Sequence, residues 1–522
     1  MDAERSLHGA RLHAVAAAVL ALVVLAGGLR WGAMVAGGAD SYGYVSQAGL
    51  WLQGLPVVQQ DIARSSPWPN SAESWAPLGY RPSPHQRGAL VPIYAPGLPL
   101  LMALFQAVAG YCAAFMVVPA CGALTVWLTF SLGRRTFGDT GIALLAALFV
   151  ATSPAFLYQL MNAMSDVPVA AFAALALTLA LSRNPFVSGL AMSAAIAIRP
   201  NLAPLALVIG TFLGLGDRRG LAWFAAGVAP SIAGVAWLNA TLYESPLISG
   251  YGTTGDLYSL RYFAPNVRLF SSSLLASEPA LVAGLALFLI TRPTPRAGIV
   301  LGAWMAVVFL SYVFYQPFDA WWYLRFLLPT WPVAMVLAAA AVMAAVRRVP
   351  HRIAAGVVAV LPACVALAIA SHRAVFDLGR AERRYVDVGR FVAGHTEPDS
   401  VLLSVQHSGS IRFYAGRLTL RFTVLDAAWL DRAVDYLQSL GRHPYFVLDG
   451  DEIEAFRRRF GATSQLGRLD WQPFATLGQT VAIYDPAART GAPPLAIAQT
   501  RGTRAWVNCN PPQSWPPVLR MK

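Results

Sequence analysis

The sequence predicts an α-helical polytopic membrane protein of about eleven transmembrane helices, followed by a small extracytoplasmic α/β domain. Three observations predict this. Of the 522 residues, 56% are hydrophobic and only 12% charged, and the mean hydropathy is +0.51. A soluble chain carries about 25% charged residues. Apolar runs of membrane-crossing length recur as far as residue 371. From residue 380 charge rises and short alternating segments replace those runs. A soluble enzyme, a disordered chain and a disulfide scaffold are thereby excluded. The net charge of +13 does not point to nucleic acid. Every basic residue except Lys522 is Arg, and the arginines scatter over loop ends rather than forming a stripe.

The apolar runs fall at about 12–31, 113–133, 140–158, 167–182, 186–198, 200–215, 220–242, 274–291, 297–315, 326–346 and 352–371. Arg5 and Arg11 precede the first run, and Val35-Ala36-Gly37 offers a signal-peptide cleavage site. An uncleaved first helix agrees better with the later topology. Pro200 and Pro204 predict a break in the 186–215 region. Arg134 and Arg135, Arg183, Arg218 and Arg219, Arg292 and Arg296, and Arg347, Arg348 and Arg352 share one side, which is therefore cytoplasmic. The opposite side receives a first outer loop at 32–112, Met161–Asp166, 243–273, Tyr315–Arg325 and everything after 371. The apolar stretch Pro96 to Gly110 is too short to span and would invert every later Arg cluster if it did. It is expected to be re-entrant or interfacial. The chain is thus placed in the plasma (inner) membrane with its N-terminus in the cytoplasm.

The membrane domain is expected to cover 1–371 and the outer α/β domain 380–486. In the outer domain Val401–Gln406, Ile411–Tyr414, Leu418–Phe422, Tyr445–Leu448 and Val481–Tyr484 alternate as strands. A helix over 427–440 is predicted from Asp426 as N-cap and Gly441 as stop. The tail, 487–522, is rich in Pro and Gly and is expected to be unstructured. Cys112, Cys121, Cys364 and Cys509 show no metal spacing, and no structural disulfide is expected.

Candidate chemistry lies at the outer ends of the spans. Asp40, in Gly38-Ala39-Asp40-Ser41-Tyr42-Gly43-Tyr44, is a carboxylate at a depth where charge is costly without a task or a partner. It could also cap an interfacial helix running from Ser41 to Gln53, a reading compatible with the first because a helix N-terminus holds a carboxylate rigidly. Asp166 faces the same compartment, though Ser165-Asp166-Val167-Pro168 also reads as an ordinary helix start. Arg199 and Arg325 lie at outward ends, against the positive-inside trend, and suit a bound anion such as phosphate. Snorkelling, or pairing of Arg325 with Asp319, would also explain them. Trp321, Trp322 and Tyr323 are read as an interfacial belt. Tyr94, in Tyr94-Ala95-Pro96-Gly97, could line a substrate groove. Tyr251 lies in the flexible loop Ser249-Gly250-Tyr251-Gly252, read as a lid over a site. Arg261, Arg81 and Arg87 could reach a phosphate, and His85 reads as a loop residue. No P-loop or GxGxxG offers a site for a soluble nucleotide donor.

In this order and sidedness, Asp40, Tyr94-Ala95-Pro96-Gly97, Ser165-Asp166, Arg199-Pro200-Asn201 and Arg325-Phe326-Leu327-Leu328-Pro329 resemble the GT-C membrane glycosyltransferases. The branch resembled is the dolichyl-phosphate-mannose protein mannosyltransferase-like one, which includes the bacterial aminoarabinose transferases. The resemblance covers about 1–346; the outer domain is similar to those appended to some bacterial members, and no residue roles carry over for it. It implies a sugar donor on a polyprenyl monophosphate and an acceptor protein, lipid or polysaccharide at the outer face. It also implies inversion at the anomeric carbon. By position Asp40 matches the family's catalytic acid and Asp166 its second acidic residue. Arg325 lies where some members bind the donor phosphate, and Arg199 and Arg261 are further candidates for that phosphate. Ser41 stands where many relatives carry a second acid, so no metal and no other cofactor is assigned.

The implied chemistry suits the residue types. A polyprenyl phosphate needs its leaving charge stabilised rather than a proton, so one carboxylate suffices to orient or deprotonate the acceptor. Asp40 is expected to be that base, Asp166 to help position the acceptor or Asp40, and Arg325 to hold the phosphate. Two other classes of function compete. A transporter or lipid flippase would place its charges near the bilayer midplane and show repeated halves. A polysaccharide polymerase or ligase would use a diphosphate-linked donor.

Overall fold

The computed structural model describes residues 2–489, 491–500 and 509. Each of the eleven expected runs falls on apolar helix. Among the described residues five helical segments are long and apolar enough to cross a membrane: His8–Trp31, Tyr111–Phe137, Arg218–Leu242, Trp321–Val346 and Ile353–His372. Two bent pairs could each supply one more span. Shorter apolar helices, including Asp166–Leu181, Pro185–Ile198 and Gly298–Val313, account for the remaining expected runs.

Local signals set the helix ends. Val117–Phe137 stops at Gly138, whose φ of +69° is the left-handed conformation that closes a helix. Asp139 then caps Thr140–Thr152 by accepting from the Gly141 and Ile142 amides, and it pairs with Arg347. Asp217 caps Arg218–Leu242 through the Arg219 amide. The bends follow from proline. Thr140–Thr152 meets Pro154–Leu160 at 59°, and Leu260–Ser277 meets Pro279–Thr291 at 103°. The two bends lock together, because Glu278 accepts from the Ala155 amide at 2.8 Å. Phe130, Phe149, Phe156, Trp304 and Trp331 are fully buried between helices. Leu12, Val15, Trp223, Trp237, Leu289 and Ile353 point outward, as lipid-facing positions do.

The first outer loop is not a flexible linker. It contains the helix Asp40–Leu52 and a three-stranded antiparallel sheet in the order Val58–Gln59, Ala89–Pro92, Tyr80–Pro82. It also contains the short apolar helix Gly97–Ala109, at the position expected to be re-entrant or interfacial.

Among the described residues the outer domain has a six-stranded mixed sheet. Its order is Leu418–Leu420, Val401–Leu403, Pro444–Asp449, Val481–Tyr484, Ala475–Leu477, Leu495–Ala496. Leu402 lies opposite Thr419 on one side and Tyr445 on the other, both in parallel register. Val447 pairs antiparallel with Ile483. Asp426 accepts from the Ala428 amide and starts the predicted helix, which runs as Ala427–Trp429 and Leu430–Ser439.

Three expectations are corrected. The segment at 411–414 is not a strand but part of the helix Ser408–Ala415. All eight of its residues are buried, so alternation had no exposed face to mark, and Gly416 ends it at φ +64°. Part of the tail is paired: Leu495–Ala496 runs in parallel with Ala475–Leu477, and the Thr500 amide donates to Asp387. The rest of the expected unstructured tail lies outside the described residues. Finally, Cys112 and Cys509 form a disulfide across 397 residues of sequence, while Cys121 and Cys364 are free thiols.

The outer domain and the first outer loop share one core. Trp68 and Trp75 of the loop pack with Val401, Leu420, Phe446 and Phe456 of the domain. The buried Arg412 ties the two together by donating to Gln60 Oε1 at 2.5 Å, to the Trp75 carbonyl at 2.6 Å and to Thr419.

Candidate active site

Asp40 is the first residue of the helix Asp40–Leu52, and no side chain caps that helix. Its carboxylate is engaged elsewhere. Oδ1 accepts from the Tyr94 hydroxyl at 2.7 Å, and Oδ2 lies 3.0 Å from Arg325 Nη1. Tyr94 comes close because the next helical turn presents Gly43, where a Cβ would run into the Tyr94 ring. Gln47, on the same helix, donates to the Tyr94 carbonyl at 3.2 Å. Tyr44 and Tyr251 then pack on the Tyr94 ring, at centroid distances of 4.4 and 5.8 Å.

A second pair stands beside the first. Asp166 opens the helix Asp166–Leu181, and its Oδ1 lies 2.5 Å from Arg199 Nη2. Ser165 does not cap that helix; its Oγ accepts from Arg199 Nε at 3.2 Å and from the Tyr44 hydroxyl at 3.0 Å. Tyr44 sits one helical turn after Asp40 and so joins the two pairs. Arg199 reaches the site because its backbone is extended at the break before Pro200.

Arg325 lies on the 3₁₀ segment Trp321–Thr330. Its guanidinium packs against Phe318, Trp322 and Phe326, at 5.6, 5.3 and 4.9 Å from the ring centroids. Arg199 packs on the same Phe326 ring at 5.3 Å. Trp322, read from the sequence as part of an interfacial belt, is therefore a wall of the site. Exposure separates the two acids. The Asp40 side chain is 28% exposed and that of Asp166 only 1%, so Asp40 is the carboxylate a substrate can touch. Asp166 Oδ2 and Arg325 Nε are buried without a hydrogen-bond partner.

The structure thus brings together Asp40, Asp166, Arg199, Arg325 and Tyr94, with Tyr251 half-exposed at the edge. Arg261 is not brought in. It is exposed, and its guanidinium engages Tyr262 of its own segment. Arg81 pairs with Glu244 at 3.2 Å, Arg87 lends only its carbonyl to Arg64, and His85 bonds the Tyr243 carbonyl. Sequence reasoning missed Tyr44, Ser165 and Phe326 as site residues; the four-residue spacing of Asp40 and Tyr44 was the available signal. Among the described residues no group of three His, Cys, Asp or Glu side chains could hold a metal ion.

The bent apolar helices, the structured first outer loop and the appended outer domain give the chain the GT-C fold, that of membrane glycosyltransferases. It is similar to the ArnT of Cupriavidus metallidurans bound to undecaprenyl phosphate, with a TM-score of 0.54 and 15% identity over 90% of this chain and 97% of that one. It is also similar to the Archaeoglobus fulgidus oligosaccharyltransferase tethered to an acceptor peptide, at a TM-score of 0.56 and 14% identity over 85% and 70% of the two chains. The AglB of Archaeoglobus fulgidus in complex with an inhibitory peptide and a dolichol-phosphate matches at a TM-score of 0.55 and 13% identity, over 92% and 74%. No family model and no curated protein matches the sequence.

Proposed function

We propose that the chain is an inverting glycosyltransferase that moves a sugar from a polyprenyl monophosphate to an acceptor hydroxyl at the outer face of the membrane. The observation that carries this reading is a reachable carboxylate, Asp40, held between a phenol and a guanidinium above apolar helices. The fold likeness to proteins bound to undecaprenyl phosphate and dolichol-phosphate supports the donor class.

An apolar cavity of about 680 Å³ supports a lipid-linked donor. It is lined by Leu274, Leu281, Met305, Phe309, Leu327 and Thr330, among others. Leu327 and Thr330 follow Arg325 on one segment, so a lipid tail in the cavity would bring its phosphate toward that guanidinium.

The step balances with these residues alone. Asp40 takes the proton of the acceptor hydroxyl as its oxygen forms a bond to the anomeric carbon. The bond from that carbon to the phosphate oxygen breaks on the opposite face, which inverts the configuration. The leaving phosphate keeps the electron pair, and Arg325 stabilises the added charge. A phosphate competing for Arg325 would also release one oxygen of Asp40 to act as base. Asp166 is too buried to meet the acceptor, and its task is to fix Arg199 beside Phe326. The Cys112–Cys509 disulfide supports placing the first outer loop and the C-terminal segment in an oxidising compartment outside the cytoplasm.

The test is sugar release from a panel of polyprenyl-monophosphate sugars by purified protein with a crude envelope acceptor mixture. Asp40→Asn should lower turnover by about 10²–10⁴-fold, the usual worth of a general base. A folded Asp40→Asn protein with near wild-type turnover would refute the assignment.

A further inference from the structure

The outer domain grips the turn that carries Asp40 from both sides. Before Asp40, residues 33–39 have no regular structure. The Ala36 amide donates to the Tyr414 hydroxyl at 2.8 Å. The Tyr385 ring lies directly on Gly37, where a Cβ would penetrate it, and its hydroxyl is the nearest atom to a Cβ built on Gly38. After Asp40, the Tyr42 ring lies on Gly409 in the same close manner and meets Phe413 edge-on at 6.2 Å. Tyr385 is 2% exposed, so it cannot touch a substrate.

Tyr385 is itself braced. His407, fully buried, lies under it at 4.7 Å between centroids. His407 Nε2 is 2.8 Å from Asp449 Oδ1, and Asp449 Oδ2 is 3.7 Å from Arg384 Nε. Arg384 Nη2 closes the ring by donating to the Tyr385 hydroxyl at 2.9 Å. Asp449 is held in turn by a capping box with Glu452, which accepts from the Asp449 and Gln406 amides. A brace of polar and charged groups at this depth costs desolvation and is weak as a source of stability alone. It does fix geometry.

We infer that Tyr385 is a positioning residue for Asp40, braced by His407, Asp449 and Arg384, so that the outer domain sets the rate of transfer by holding the carboxylate in place. This rests on Asp40 being the base. A displacement of about 1 Å at a reacting group costs up to about 100-fold in rate.

The experiment measures kcat and KM for donor and acceptor in wild type, Asp40→Asn, Tyr385→Leu, Tyr385→Phe, Gly37→Ala and the double variant Gly37→Ala/Tyr385→Leu. Folding is checked by thermal melting and by formation of the Cys112–Cys509 disulfide. Tyr385→Leu is expected to lower kcat roughly 10- to 100-fold with both KM values within about two-fold. Tyr385→Phe, which keeps the ring, recovers most of the rate. Gly37→Ala, which pushes from the other side of the same contact, lowers kcat and not KM, but less when Tyr385 is already Leu, as expected of two groups in contact; the kcat-only effect in folded protein is what a merely structural role would not give. A folded Tyr385→Leu protein with wild-type kcat, or one altered only in KM, overturns the inference while leaving Asp40 as base. Activity retained in Asp40→Asn, or no turnover by wild type on any donor, overturns the underlying reading as well.

Discussion

Tyr94→Phe is the most discriminating change at the site, because it removes one atom. The Tyr94 hydroxyl holds Asp40 Oδ1 at 2.7 Å, and Arg325 holds Oδ2 at 3.0 Å. Without the hydroxyl the carboxylate is pinned at one oxygen and can swing about that contact. A hydrogen bond to a charged group contributes about 1.5–3 kcal/mol. If that bond orients the base during proton transfer, its loss lowers kcat roughly 10- to 100-fold. The ring still fills the space against Gly43, Tyr44 and Tyr251, so the fold survives. Turnover of a lipid-linked sugar at saturating donor and acceptor, paired with a melting curve, reads the effect. Wild-type kcat in Tyr94→Phe, beside an inactive Asp40→Asn, would show that the hydroxyl does not orient the base.

Three further outcomes are expected. Asp166→Asn leaves Arg199 without its counter-charge in a site where its side chain is 11% exposed, and should destabilise the protein by about 3–5 kcal/mol in denaturation. Asp166→Asn/Arg199→Gln should recover much of that stability. Thiol labelling of the unreduced, unfolded chain should modify Cys121 and Cys364 only, and Cys112→Ser should expose Cys509 to the reagent. Burial raises the Glu452 carboxyl from its ordinary 4.5 to about 7. The folded state then binds that proton more tightly than the unfolded one, so stability declines as pH rises from about 4.5 to about 7 and levels above it. Glu452→Gln should flatten that part of the Tm profile; an unchanged slope would place the proton elsewhere.

The apolar helices were legible because apolar length is a local property. The convergence of Asp40, Asp166, Arg199 and Arg325 was legible only as shared sidedness. Which acid pairs with which arginine was not, since Asp40 and Arg325 are 285 residues apart. The capping readings of Asp40 and Ser165 failed because tertiary partners took both side chains. Ser408–Ala415 misled because Ile-Arg-Phe-Tyr alternates like a strand, while its actual partners, Tyr42 and Gln60, lie in the first outer loop. Arg261 was plausible by sidedness alone, and its segment turns it outward to Tyr262. The Cys112–Cys509 pairing had no local signature at all.

The shared core of Trp68 and Trp75 with the outer domain sets a timetable for biogenesis. Trp75 precedes Arg412, the residue that clasps it, by 337 positions. At about 5–20 residues per second, on the order of half a minute separates the emergence of the two. Throughout that interval the loop presents two indoles with their burial partners not yet made. A chain that stops before residue 401 keeps those indoles bare permanently, together with a loop that cannot hold Asp40 in register. Quality control that recognises exposed aromatic surface would therefore meet the truncated protein as a misfolded one.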